Sequence, residues 1–156
     1  MFWRRPKLDK ILKEISMLEV VLSASKARLD VALNIRRDRR TYLEYFYKVS
    51  VPSAMVGFPL TPLTMSNMFI NDTFILMKKS LKKLRKVVEF LYREHYITPE
   101  LLESLMNSIS EVEERMRAAD SLPVEQGVNQ LKEGIDEILA ICAEVKGLLA
   151  SRGLNS

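Results

Sequence analysis

The sequence predicts an all-α fold in a single domain of 156 residues, and three observations support this. Apolar residues recur at alternating spacings of three and four along four segments, as they do on the buried face of a helix. The six prolines stand at the starts of these segments or between them, where helices begin and end. No segment shows the apolar–polar alternation of a strand. We therefore expect four helices: a long basic antiparallel hairpin (helices 1 and 2), with shorter acidic helices 3 and 4 packed on it.

The first predicted helix runs from Pro6 to about Val49, because no glycine or proline interrupts it before Pro52. Its apolar seam has one weak point, a serine. The seam consists of Leu8, Ile11, Ile15, Leu18, Leu22, Ser25, Leu29 and Ala32. A second apolar face comprises Met17, Val20, Ala24, Ala27 and Val31. A helix that is apolar on two sides needs two partners, in the same chain or in another.

An apolar loop is predicted at 50–65, where three prolines and a glycine disfavour a membrane-spanning helix. The second helix follows, with Ser66 or Asn67 as its N-cap. Its seam consists of Ile70, Phe74, Met77, Leu81, Leu84, Val88, Leu91 and His95. The basic residues fall between these positions, so we expect them to cover the side that faces away from the core. They are Lys78, Lys79, Lys82, Lys83, Arg85 and Lys86.

Thr98 and Pro99 have the residue types of an N-cap and a first helical position, which predicts the start of the third helix. The segment "DSLPVE" separates it from the fourth. Three glycines in the fourth helix weaken it by about 1 kcal/mol each relative to alanine. We expect it to dock on the hairpin through Val128, Leu131, Ile135 and Ile138. The domain thus divides into a lead (1–7), a basic hairpin (8–95) and an acidic helical pair (99–151).

Charge is divided unevenly along the chain. Up to Thr98 there are 19 Lys and Arg against 9 Asp and Glu, a net charge of +10, whereas the remainder carries 5 against 11, a net charge of −6. A basic first part favours an anionic partner, and an acidic second part favours folding back onto the first. The same division also fits a plain soluble bundle whose helices attract each other.

No catalytic or metal site is predicted. The chain has one histidine, His95, and one cysteine, Cys142, and both fall on helix seams. The simpler explanations are a helix-end residue for His95 and core packing for Cys142. It has no glycine-rich phosphate loop and no Glu-x-x-His pair for a di-iron centre. We therefore expect a non-enzymatic protein without a cofactor or metal. A single cysteine is typical of a cytoplasmic protein.

Four features together resemble the ESCRT-III proteins, including the archaeal CdvB-type division proteins. They are the aromatic and basic lead "MFWRRP", the long helix "LDKILKEISMLEVVLSASKARLDVAL" with "RRDRRTYLE" at its end, the basic "KKSLKKLRKVVEFL", and the acidic "SLPVEQGVNQLKEGIDEILAI". The resemblance covers most of the chain as a pattern. Two departures are the long loop, since family hairpins usually turn in a few residues, and the missing tail motif with which many members recruit an AAA ATPase.

The resemblance implies a self-assembling protein, cytoplasmic and peripheral on the inner face of the membrane, which it remodels in cell division or scission. The acidic helices would fold back on the hairpin in a closed monomer, and opening would let like or related subunits stack into filaments. The second face of helix 1, around Met17 and Val20, is expected to receive either helix 4 or a neighbouring subunit. The implied membrane-binding residues are Phe2, Trp3, Arg4, Arg5 and Lys7, together with the basic residues of 78–86.

Three alternatives remain open. Phe2 and Trp3 fit the headgroup region of a bilayer, but they also fit a hydrophobic staple that closes the end of the bundle. The segment "RRDRR" and the basic side of the second helix have the charge to follow a nucleic-acid backbone, although no nucleic-acid motif is present. A cytosolic coiled-coil scaffold is the third alternative, since the long first helix has the seam to pair with another protein.

Overall fold

The computed structural model describes residues 5–45 and 61–154, and the side chains within 7–38, 40–44 and 61–151. The described residues form five helices and no strand, so the all-α prediction is confirmed, with five helices where the sequence predicted four. The helices are α1 (Arg5–Arg37), α2 (Arg39–Tyr45), α3 (Pro62–Arg93), α4 (Pro99–Asp120) and α5 (Val124–Leu154).

The first predicted helix is interrupted at Asp38 and does not run unbroken to Val49. The Asp38 carboxylate accepts hydrogen bonds from the Arg40 backbone N–H (2.9 Å) and the Thr41 hydroxyl (3.2 Å). This is the geometry of an N-cap, a position that aspartate favours, so a new helix, α2, starts here. Residues 46–60, which hold the predicted end of this helix and most of the predicted loop, lie outside the described residues.

α3 begins at Pro62, earlier than predicted, and the predicted loop therefore ends by Thr61. The Thr61 hydroxyl accepts a hydrogen bond from the Thr64 backbone N–H at 3.2 Å, and proline suits the first helical position. Ser66 is consequently not a cap. It is buried within the helix, where its hydroxyl donates to the Ala32 carbonyl at 2.7 Å and ties α3 to α1.

The predicted start of the third helix is confirmed, because the Thr98 hydroxyl accepts a hydrogen bond from the Leu101 backbone N–H at 3.2 Å. Two other details were wrong. α5 has 31 residues and is nearly as long as α3 with 32, so of the two acidic helices only α4, with 22, is shorter than the hairpin helices. His95 lies just beyond the end of α3 with a φ of 62° and is exposed, so its placement on the apolar seam was wrong and its interpretation as a helix-end residue is confirmed.

The four long helices share one hydrophobic core. α1 packs against α3 and α5, and α4 packs against the same two helices. The predicted α1 seam faces this core, and Ser25 fits there because its hydroxyl donates to the Val21 carbonyl at 2.9 Å. Burial of one large apolar side chain stabilises the fold by about 1.5–3 kcal/mol. The largest fully buried side chains are Ile15, Leu22, Leu29, Met65, Met77, Leu81, Leu84, Leu91, Leu105, Ile109, Ile135 and Ile138.

Candidate membrane-binding surface

The basic residues of α3 point in three directions, and only some of them face away from the core. Lys79, Lys82 and Lys86 are exposed and stand at spacings of three and four, so they form one outward row along the helix. We call these three residues the basic stripe. None of the three is within ion-pair distance of a carboxylate in the described part of the chain, so the stripe is available to an anionic surface.

Lys83 and Arg85 do not belong to this row, which corrects the sequence prediction. The Lys83 ammonium lies 3.5 Å from a carboxylate oxygen of Glu14 in α1. The Arg85 guanidinium lies on the opposite flank, with Nη2 at 2.8 Å and Nε at 3.0 Å from Glu113 Oε1 in α4. Because each residue turns the helix by about 100°, positions off the seam are divided between outward and lateral directions. These two cations therefore join helices.

A cleft of about 420 Å³ lies between α3 and α4. We call it the α3–α4 cleft. It is lined by Phe74, Lys78, Leu81, Lys82, Arg85, Glu113, Met116 and Arg117. The ammonium of Lys78 lies 5.5 Å from the centroid of the Phe74 ring, which holds the lysine over the apolar floor. Arg117 was absent from the sequence prediction, because α4 was interpreted as an acidic helix without a basic flank.

The N-terminal lead is only partly described. Phe2, Trp3 and Arg4 lie outside the described residues, and of Arg5 only the backbone, at the start of α1, is described. Lys7 is exposed, and its ammonium lies 4.6 Å from the centroid of the Phe90 ring. Membrane insertion and a hydrophobic staple therefore both stay predictions for the two aromatic residues.

The second apolar face of α1 is left uncovered by the described chain. Met17 is 64 % exposed and Val20 is 67 % exposed, and the neighbouring Ala24 and Ala27 are exposed as well. We call these four residues the outer face of α1. Two lysines, Lys10 and Lys13, extend it toward the N-terminus, and the sequence analysis missed them because they stand singly and not in a run.

α5 docks on a different side of α1, so the predicted competition for the outer face was wrong. Ion pairs fix this docking from one end to the other, between Glu19 and Lys146, Lys26 and Asp136, Asp30 and Lys132, and Arg37 and Glu125. The four predicted packing residues of α5 are buried in the core. They are Val128, Leu131, Ile135 and Ile138. Folding back of the acidic helices thus leaves the outer face free.

The segment "RRDRR" does not present a continuous basic surface. Arg36 donates through Nε to the Ser66 hydroxyl at 2.6 Å, and its Nη2 donates to the Asn67 side chain. Arg37 pairs with Glu125 of α5. Asp38 caps α2. Of the side chains described in this segment, only that of Arg40 is exposed without such a role, and the side chain of Arg39 lies outside the described residues.

Cys142, the single cysteine of the sequence, is buried in the core. Burial, with a smaller contribution from the nearby Glu19 carboxylate, raises the pKa of the Cys142 thiol to about 12, so the thiol is neutral and unreactive near pH 7. Within the described ranges, no group of three His, Cys, Asp or Glu residues is placed to hold a metal ion. None of the described helices combines the length and apolarity needed to cross a bilayer.

The chain was compared with protein families, curated proteins and solved structures. No family model, no curated protein and no solved structure matches it. The ESCRT-III resemblance therefore rests on the four sequence features alone.

Proposed function

We propose that this protein is a non-enzymatic, ESCRT-III-type membrane-remodelling protein that binds anionic membranes and assembles with copies of itself or related subunits. The observation that carries the proposal is the outer face of α1, where Met17 and Val20 remain about two-thirds exposed although the apolar seam of the helix is packed in the core. An exposed apolar row on a helix that already has two partners marks a site for a further partner. The proposed setting is the inner, cytoplasmic face of a membrane, during division or scission.

The basic stripe and the lead supply the membrane contact in this proposal. Near an anionic surface each lysine contributes about 1 kcal/mol, so the three lysines of the stripe together provide roughly 3 kcal/mol. Phe2 and Trp3 would add insertion into the headgroup region. Each contact is weak in a single subunit, and assembly through the outer face would multiply it.

The finer arrangement proposed here is a basic hairpin of α1 and α3 with α4 and α5 folded against it as a closed state. Because the outer face is free, assembly through Met17 and Val20 does not require α5 to leave the hairpin. This changes the implied regulation, in which the closed monomer had to open before subunits could associate. Opening is then a route to further remodelling and not a condition for the first subunit contact. An AAA ATPase is a partner implied by the resemblance alone.

Vesicle co-sedimentation tests the membrane contact. The protein should pellet with vesicles containing phosphatidylserine and not with neutral phosphatidylcholine vesicles, and binding should weaken as salt rises, since exposed charges are screened over about 10 Å at 0.1 M. Reversal of the basic stripe (Lys79→Glu, Lys82→Glu, Lys86→Glu) should lower the affinity by more than about a hundredfold, because it removes three attractions of about 1 kcal/mol each and adds repulsion. Equal binding to neutral vesicles, or unchanged binding of the triple variant, would contradict the proposal.

Light scattering at increasing protein concentration tests assembly separately. The substitution Val20→Glu should abolish association, because it places a charge at the centre of the outer face. Leu63→Glu is the matched control, since Leu63 is also an exposed aliphatic residue, at 56 %, but lies on α3 away from the outer face. Association that persists in Val20→Glu would refute this interface. Association without vesicle binding would instead identify a cytosolic scaffold, and retention on nucleic acid would identify the stripe as a phosphate-backbone site.

A further inference from the structure

The α3–α4 cleft combines an apolar floor with a basic rim. Phe74 and Leu81 of α3 and Met116 of α4 form its apolar part. Lys78, Lys82 and Arg117 contribute exposed cations along its edges. A ligand that fills this cleft therefore needs both an anionic group and an apolar portion.

The cations of the cleft exceed its carboxylates. Arg85 is paired with Glu113, which also lines the cleft. Neither Lys82 nor Arg117 has a carboxylate within 4 Å among the described residues, and Lys78 contacts a ring and no acid. The lining thus carries four cations against one anion, a net charge of +3. Such a group of cations repels itself until an anion binds among them.

A wider cavity of about 760 Å³ adjoins the cleft, because Phe74 lines both. Its wall is formed by α3, by the α4–α5 turn and by the first residues of α5. Apolar side chains predominate in this wall, among them Met68, Ile70, Leu122 and Val128. Both volumes lie in the range of about 300–1,000 Å³ that is typical of small-molecule sites. The two spaces therefore lie side by side at Phe74. Polar residues also line the wider one, namely Thr64, Asn67, Asn71 and Asp120.

We propose that these two adjoining spaces bind one molecule of an anionic lipid, with its charged head among Lys78, Lys82 and Arg117 and its acyl chain passing Phe74 into the wider cavity. Charge complementarity requires the anion, and the adjoining apolar cavity requires the chain. Inorganic phosphate would satisfy only the rim, and a neutral alcohol only the floor. The inference deepens the proposed function and rests on it for the choice of a lipid, since a protein already held at an anionic membrane meets that ligand first.

Methionine methyl resonances provide a direct test on the whole chain. Met116 lines the cleft and Met68 the wider cavity, whereas Met17 lies on the outer face of α1. Dodecyl phosphate, added below its critical micelle concentration, should shift the Met116 and Met68 methyl signals with one-to-one saturation and leave Met17 unchanged. Dodecanol and inorganic phosphate at the same concentrations should bind at least about tenfold more weakly, because each lacks one half of the recognition.

A pair of charge-matched variants locates the head. Lys82→Gln with Arg117→Gln should weaken dodecyl phosphate binding about tenfold, as expected for two partly exposed ionic contacts. Arg40→Gln with Arg93→Gln removes the same charge from exposed positions outside the cleft and should change the dissociation constant by less than about twofold. An equal effect of the two pairs would refute the cleft as the site, since it would show that only net charge matters.

Three further outcomes would overturn the inference. If the Met17 methyl signal shifts as much as that of Met116, the ligand coats apolar surface in general. If the Met116 signal shifts with protein concentration in the absence of lipid, the cleft is a protein interface. The third outcome is the absence of any saturable shift. The readout is independent of vesicle binding. A protein that pellets with vesicles but shows no methyl shift keeps the proposed function and loses the lipid site, and the reverse result keeps the site and loses membrane association.

Discussion

Four ion pairs join α1 to α5, whereas among the described residues a single pair, Arg85–Glu113, joins α3 to α4. The paired residues along α1 alternate between negative and positive charge, and the partner on α5 carries the opposite charge at each position. Beside Arg85, by contrast, the cleft keeps three cations without a carboxylate partner. The charged residues between α1 and α5 are therefore paired with each other, whereas the α3–α4 cleft has cations that can pair with an external anion.

The comparison shows that the uneven charge of the sequence does not act as one basic half attracting one acidic half. Two of the four α1–α5 pairs run the other way, because Lys132 and Lys146 of the acidic half meet Asp30 and Glu19 of the basic half. The alternation fixes the register of the two helices, since a shift along the axis would bring like charges together. The surplus of positive charge remains on the other flank of the bundle, at the basic stripe and the cleft.

The largest difference in the free energy of unfolding should come from truncating one buried side chain of α5 and one that borders the α3–α4 cleft. Ile135 of α5 is fully buried, so Ile135→Ala should lower the free energy of unfolding by about 2–5 kcal/mol. Met116→Ala should cost less than half as much, although Met116 is only 2 % exposed, because it borders the cleft and neighbouring side chains there can move into the vacated space. Urea denaturation monitored by circular dichroism measures both. Equal losses would mean that the cleft is closed in solution.

Alanine substitutions at two glycines of α5 should change the stability of the fold by up to about 1–3 kcal/mol, in opposite directions. A Cβ at Gly127, on the wall of the wider cavity, would lie 2.7 Å from the Ala119 carbonyl oxygen, and backbone atoms yield little. Gly127→Ala should therefore destabilise the fold by about 1–3 kcal/mol. Gly147→Ala meets nothing within 4 Å and should stabilise it by up to about 1 kcal/mol through helix propensity.

Thermal unfolding of the two glycine variants decides between two explanations of these residues. If both alanines stabilise the protein, the glycines only weaken α5, as the sequence analysis assumed. Opposite signs would show that Gly127 is present for the close approach of α4 and α5. The two measurements serve as mutual controls, because the chemical change is the same in each.

The sequence was sufficient to locate the core, since spacing alone identifies which residues face inward. The seam of α1 and the packing residues of α5 are buried as that spacing requires. Helix ends were less predictable, because several residues compete for the cap. Thr61 with Pro62 prevails over Ser66, which is needed to bind Ala32, and Asp38 interrupts a segment that contains no proline.

The site was harder to foresee than the core. Periodicity separates inward from outward positions but does not say which neighbour a lateral residue meets, so Lys83 and Arg85 were placed with the outward residues. The cleft needs two helices at once, and Arg117 gains meaning only beside Lys82. The outer face of α1 was visible in the sequence, but its freedom depends on which side α5 occupies.

Reversal of one charge in each region should give the smallest effects, with different signs. Lys26 lies 2.7 Å from Asp136, and both side chains are partly exposed. Lys26→Asp should therefore destabilise the fold by only about 0.5–1 kcal/mol, and Lys26→Asp with Asp136→Lys should restore most of the loss. Lys82→Asp should instead leave stability unchanged or raise it by a few tenths of a kcal/mol, because it relieves repulsion in the cleft. Chemical denaturation at low and high salt measures the stability of each variant, and all differences should shrink at high salt.

A loss of stability from Lys82→Asp as large as that from Lys26→Asp would mean that Lys82 already has an anionic partner within the chain. The contrast between the paired charges of α1 and α5 and the unpaired cations of the α3–α4 cleft would then fail.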